Sequence, residues 1–344
     1  SKAGKSFLQI ELCISIAEGK PWLGWKCARG RAMYVNLELD RASCLHRFRD
    51  VYDALGWKPE HLDSIDIWNL RGKSVPMDKL APKLIRRASK KDYVATIIDP
   101  IYKVITGDEN SADQMANFCN QFDKVCTELG CAVIYCHHHS KGSQGGKKSM
   151  DRASGSGVFA RDPDALLDLI ELETTDSLMK QEENKAICQV CIDWLKQYDG
   201  LIDGVSQDDM CSSVQMLDYC REKLKSLDFK ALNVEVQKAV DKVKTMTAWR
   251  IEGTLREFPK CQSVNLWYDY PVHREDESGA LKDIQPEDER PAWQKGSVNN
   301  KKSAQSRKED RKRALQEAVE GCNFGEVPTV KAVSEYLGIS ERTV

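Results

Sequence analysis

Six residues at the start of the chain, Ser1-Lys2-Ala3-Gly4-Lys5-Ser6, have the types and order needed to hold a phosphate, and an apolar helix opening, Phe7-Leu8-Gln9-Ile10, follows at once. They match the closing part of the pattern G-x-x-x-x-G-K-[ST], whose first glycine would precede Ser1. In that arrangement Gly4 lets backbone N–H groups curl round the anion, Lys5 reaches the terminal phosphates, and the Ser6 hydroxyl sits on Mg²⁺. The stretch from Ser1 to Phe7 is the expected phosphate cradle.

Phosphoryl chemistry also calls for carboxylates, one to hold Mg²⁺ and one to activate the attacking water. Asp99 ends the apolar run 93–98, which would deliver its carboxylate to the sheet edge where ligands bind, so it is expected to hold Mg²⁺ partly through water. A strand-end aspartate capping a turn before Pro100 is the plainer alternative. Glu38 closes another apolar run and is expected to polarise the water, with Asp40 as its rival or as the N-cap of the next helix.

After a further strand comes His137-His138-His139-Ser140-Lys141-Gly142. Neighbours on an extended chain point to opposite faces, so at most two of these histidines could share a metal ion. A polar sensor of the terminal phosphate, from His137 or His138, fits better, with a plain loop as the remaining reading. Residues 141–149 are rich in Gly, Ser and Lys and read either as a loop that meets a nucleic-acid backbone or as a solvated surface loop. Arg152 and Arg161 are candidates to complete a neighbour's site at an oligomer interface, or are surface cations. Cys188 and Cys191 have no second pair nearby, so zinc is not expected.

The elements that must position these groups alternate. Helices are expected over residues 4–19, with an apolar stripe at Leu8, Leu12 and Ile16, and over 41–55, 77–90 and 112–129. Strands are expected over 31–40, 64–70, 93–100, 131–136 and 165–170. Such alternation, with strands apolar on both faces, indicates an α/β fold around a mostly parallel, twisted sheet. Residues 174–247 read as a helical insertion, with strand character only at 186–192. Residues 248–273 read as the last strands of the same sheet, completing a core that begins at 1–173. A charged linker at 274–310 follows, and 311–344 has the cadence of a helix-turn-helix, with Val330, Val333 and Leu337 inward, Gly338 at the turn and Ser340 as a cap, a protein-binding winged helix being the alternative.

A chain of 344 residues with a formal net charge of -2 is not uniformly basic, so nucleic-acid contact would be local, through loop 141–149, the C-terminal tail and the cations between Lys301 and Arg313. No apolar run is long enough to span a membrane. The 13 scattered cysteines suit free thiols in a reducing cytoplasm. Both ends fall inside motifs, so the chain reads as part of a longer open reading frame whose first strand would precede Ser1.

Together these pieces resemble the RecA-like P-loop ATPases, and within them the plasmid RepA-type hexameric replicative helicases, AAA family ATPases of mobile elements. The resemblance covers about residues 1–172 and, more loosely, 248–270. It rests most on Ile97-Ile98-Asp99-Pro100, on Gly107-Asp108-Glu109-Asn110-Ser111-Ala112 and on the run from His137 to Gly142. It implies ATP and Mg²⁺ held by Lys5 and Ser6, Glu38 as catalytic base, Asp99 as the Walker B acid, His137 or His138 as sensor, and a hexameric ring acting on DNA. An ungapped match places Asp164 where that family has its arginine finger, which leaves Arg152 and Arg161 open. The helical insertion and the C-terminal tail are additions that also suit a nucleotide-gated DNA-binding regulator, and a recombination or repair ATPase is a third expectation.

Overall fold

Two apolar runs form the centre of a parallel sheet, and side-chain alternation along them divides the core in two. The computed structural model describes residues 4–73, 75–105, 107–137, 157–198, 200–259 and 261–284. In it, β1 (Arg31–Asn36), β2 (Ile65–Asn69), β3 (Tyr93–Asp99) and β4 (Ala132–Tyr135) are parallel, in the order β2-β1-β3-β4. Ala32, Tyr34, Ala95 and Ile97 share a cluster with residues of α1 (Lys5–Glu18) and α2 (Arg41–Leu55). Met33, Val35 and Ile98 share another with residues of α3 (Met77–Ala88) and α4 (Ala112–Leu129). Strands covered on both faces need apolar residues at every position, which is why they read as continuous runs.

The windings follow from handedness. The crossover from β1 to β2 passes through α2 on one face. Those from β2 to β3 and from β3 to β4 run the other way across the sheet and pass through α3 and α4 on the opposite face. Right-handed crossovers change face when they change direction. The chain therefore leaves the C-terminal ends of β1 and β3 toward opposite faces, which opens a crevice there. Asn36 and Asp99 are register partners at that edge.

Helix α1 departs from expectation in which face it buries. Ile10, Cys13, Ile14 and Ala17 are fully buried, while Leu8 and Leu12 pack against a separate cluster with Trp22, Leu23, Trp249 and Leu266. A single apolar stripe presumes one covered face; here the helix lies between two clusters. At its C-terminal end the buried Glu18 carboxylate accepts from the Tyr52 hydroxyl at 2.7 Å, Glu60 N–H at 3.1 Å and His61 N–H at 3.2 Å. Glu18→Ala would strand all three donors. We expect it to lower unfolding free energy by about 2–4 kcal/mol, read as a lower urea midpoint; a change within 0.5 kcal/mol, which is about surface-substitution size, would refute this account.

The second sheet differs from the expected topology. Strands β5 (Ala165–Leu172), β6 (Thr247–Leu255), β7 (Val264–Asp269) and β8 (Val272–Glu275) are antiparallel and ordered as in the chain. Residues 248–273 are thus not further strands of the parallel sheet among the described residues. Strand β5 pairs along its length with β6, from Ala165↔Leu255 to Leu172↔Ala248, and short connections then return the chain at once, which only antiparallel pairing permits.

The helical insertion lies between β5 and β6, after a short helix α5 (Val158–Arg161) that precedes β5. It comprises α6 (Asp176–Leu195), α7 (Ser213–Lys223) and α8 (Ser226–Thr245) around Cys188, Cys191, Leu195, Met216, Cys220 and Leu232. The run 186–192, strand-like in composition, lies inside α6, where Cys188 and Cys191 face that core; packing overrides propensity there. Residues 276–284 are not an extended linker. Leu281 is fully buried, its N–H donates to Asp276, and the Arg250 guanidinium donates to the Ile284 carbonyl at 2.8 Å.

The twelve cysteines among the described residues are free thiols. No described helix is long and apolar enough to cross a membrane, and the described residues hold no group of His, Cys, Asp and Glu suited to a metal ion by themselves. Ser1, Lys2, Ala3, His138, Arg152, loop 141–149 and the helix-turn-helix tail lie outside the described residues.

Candidate functional site

Helix α1 starts at Lys5, directly after Gly4, whose φ of 59° is a left-handed conformation that favours glycine. The Tyr268 ring packs so closely on Gly4 that a Cβ there would lie 2.5 Å from it. Lys5, Ser6 and Phe7 are consequently held at the helix start, beside the N-terminal end of the helix dipole.

Asp99 arrives from β3, and the parallel register sets it beside Asn36 at the crevice edge. Its carboxylate is buried and accepts from the Tyr34 hydroxyl at 2.6 Å and from the Ser6 side chain. With its amide oriented to satisfy both neighbours, Gln9 donates to Asp99 Oδ1 at 3.1 Å and accepts from the Cys136 N–H at 3.1 Å. Burial raises the Asp99 pKa above the usual carboxylate range and the Glu38 charge adds to the rise, while the Tyr34 and Ser6 hydrogen bonds and the Arg47 charge oppose it. Burial lowers the Lys5 pKa, against the pull of nearby Cys136 and Asp99, and its Nζ donates to the His137 carbonyl at 3.5 Å.

Glu38 is exposed in the bend after β1. Asn36 shapes that bend: its side-chain oxygen accepts from Leu39 N–H at 2.9 Å and its Nδ2 donates to the Leu39 carbonyl at 2.7 Å. The Tyr102 hydroxyl approaches Glu38 Oε1 at 3.5 Å. Asp40 takes the capping role, accepting from Ser43 N–H at 3.0 Å as the N-cap of α2. The Ser43 hydroxyl, also bonded to Asp40, holds that carboxyl below its usual pKa.

The structure therefore brings Lys5, Ser6, Asp99, Glu38 and the His137 backbone to one edge. The His137 ring stacks on Phe159 at 4.4 Å. Arg161 is exposed next to this region, and its carbonyl accepts from Arg256, which also pairs with Asp164 at 3.0 Å.

Sequence reading missed Tyr34, Gln9, Asn36 and Arg47. A tyrosine inside an otherwise apolar buried strand was a signal, because its hydroxyl needs a partner. Arg47 had none: it is one of several cations on α2, and only packing sets its guanidinium 4.9 Å from the Phe7 ring centroid.

The donor set fits Mg²⁺ and a polyphosphate. It consists of hard oxygen ligands, a hydroxyl and a carboxylate already in contact, beside a lysine at a helix start. The four-stranded parallel sheet and its helices fit a RecA-like core. Residues 1–144 match the family model described as an AAA domain, which supports an AAA-type ATPase for this part of the chain. The matched stretch holds the parallel sheet and its four helices; the helical insertion and the antiparallel sheet lie beyond it. A domain of that kind binds nucleotide, usually with Mg²⁺.

Proposed function

We propose that this chain is a DNA-associated, ATP-hydrolysing motor of the replicative-helicase kind, working as a ring in the replication of a plasmid or other mobile element. The observation that carries the ATPase reading is the Asp99 carboxylate bonded to Ser6 beside Lys5, with Glu38 facing the same edge. The motif likeness around Asp99, Gly107–Ala112 and His137 supports the helicase reading.

Lys5 places its ammonium against the terminal phosphates and neutralises charge there. Ser6 and Asp99 are the residues that hold Mg²⁺, Asp99 partly through water. Mg²⁺ held there would supply positive charge against the charge that develops on the departing phosphates. Glu38, exposed at the mouth of the crevice, accepts a proton from the attacking water and aligns it. His137 or His138 responds to loss of the terminal phosphate, and Arg152 or Arg161 from a neighbouring subunit reaches the site. Loop 141–149 and the C-terminal tail contact DNA.

DNA-stimulated hydrolysis with strand displacement on a forked substrate is the expected result. Hydrolysis without displacement, together with site-specific duplex binding, would instead establish a nucleotide-gated regulator. That second reading draws on the additions outside the matched domain.

Asp99→Asn separates function from stability. The amide keeps an acceptor for Tyr34 but loses the charge Mg²⁺ requires, so Mg²⁺-dependent hydrolysis is expected to fall by about a hundredfold or more. Burial raises the Asp99 pKa, so folding favours its neutral form. That contribution is complete below the ordinary carboxylate range and is lost as pH rises through the raised value. The variant should therefore melt at the same or a higher temperature than the parent at pH 8, with the gap closing as pH falls. A lower melting temperature at pH 8 would show that Asp99 is a structural carboxylate.

A further inference from the structure

We propose that Tyr270, at the tip of the β7–β8 hairpin, is the platform on which the base of the bound nucleotide stacks, with Phe7 and Arg47 completing the surface; this rests on the nucleotide-binding reading above. Tyr270 is 63% exposed, yet its ring is held edge-on to Phe7, with centroids 5.2 Å apart and planes at 75°. Phe7 directly follows Ser6, so this contact begins where the phosphate cradle ends. On the same phenyl ring sits the Arg47 guanidinium, whose charge also reaches Asp99 and Tyr268.

The hairpin that carries Tyr270 is braced. Tyr268, two residues earlier, packs on Gly4 and stacks on His273 at 4.5 Å. His273 Nδ1 meets Glu11 Oε1 at 2.8 Å inside the protein, and the Arg274 guanidinium donates to the Ala54 carbonyl at 2.8 Å at the end of α2. An exposed aromatic ring usually keeps rotational freedom that stacking would have to remove; fixing the hairpin at both sides lowers that cost. A flat π face next to a guanidinium is the chemistry that recognises a heteroaromatic ring through its face. A nucleotide with its phosphates at Lys5 and Ser6 has one heteroaromatic end, and Phe7 links that cradle to Tyr270.

The test measures binding of ATP and of inorganic tripolyphosphate, each with Mg²⁺, by calorimetry on the full chain. Tyr270→Ala is expected to weaken ATP about tenfold, in the range typical of base–aromatic stacking, and to leave tripolyphosphate unchanged. Tyr270→Phe, which keeps the ring, should bind ATP like the parent. Equal loss of both ligands in Tyr270→Ala would overturn the platform and leave the tyrosine a support for the helix start. Unchanged ATP binding, or a parent chain that holds tripolyphosphate as tightly as ATP, would overturn it as well. A parent that binds neither ligand would overturn the nucleotide-binding reading itself.

Discussion

Lys5→Ala is expected to reduce ATP hydrolysis by about 10²–10³-fold or to background, the scale of removing one preorganised charge from a phosphoryl-transfer site. Lys5 opens α1, its Nζ lies at the crevice against the His137 carbonyl, and Asp99 and Cys136 are close enough to act on its charge. The same variant should not unfold the protein. Burial disfavours the ammonium, as its lowered pKa records, so its removal relieves a desolvation cost. Phosphate release and thermal melting measured on one preparation give both readouts. Retained turnover would sink the ATPase assignment, whereas lost turnover with a collapsed melt would reassign Lys5 to structure. Lys5→Arg is expected to fail as well, because a planar fork does not replace a compact ammonium in a tight loop.

Glu11→Ala is expected to carry the largest stability penalty, about 2–5 kcal/mol, because truncation leaves two buried donors unsatisfied at about 1–3 kcal/mol each. Glu11 Oε1 takes both the backbone N–H of His273, at 3.2 Å, and its ring Nδ1, at 2.8 Å, with both side chains excluded from water. Burial raises the Glu11 pKa and the His273 contacts pull it back down, the signature of a carboxyl retained in the interior for a specific partner. Truncation strands two donors at the point where the antiparallel sheet meets α1. Urea denaturation of Glu11→Ala, His273→Ala and the double variant forms the check. The double penalty should fall well short of the sum, because each single change orphans the same partner. Full additivity would mean that the two residues stabilise the protein independently. Because His273 stacks on Tyr268, and Tyr268 packs on Gly4, weaker nucleotide binding is expected alongside.

Where local pattern and tertiary environment agree, the linear chain was enough. Residues 41–55 and 112–129 fold as read, and the strand expected over 93–100 runs Tyr93–Asp99, because caps such as Asp40 and Ser111 and the apolar runs are short-range signals. The Gly4-Lys5-Ser6 order at a helix start, an acid at the end of an apolar strand, and the capping role of Asp40 also follow from neighbours within a few residues. Helix α1 did not yield its buried faces, since amphipathicity cannot reveal that a helix is covered from two sides.

The strand-like run inside α6 went the same way: Cys188 and Cys191 face a core supplied by α7 and α8, far along the chain. Nor could pattern announce that 248–275 turns antiparallel, because periodicity of two is common to both kinds of sheet. The placement of Lys5 and Ser6 at a helix start, of Asp99 at a strand end and of Asp40 at a cap was thus written in the chain itself, because each is a local structure. Tyr34 and Gln9 on Asp99, Glu11 against His273, and Tyr270 beside Phe7 were decided by folding alone. Each joins residues that share no sequence neighbourhood, and a buried polar group or an exposed ring takes its chemistry from whichever partners packing delivers.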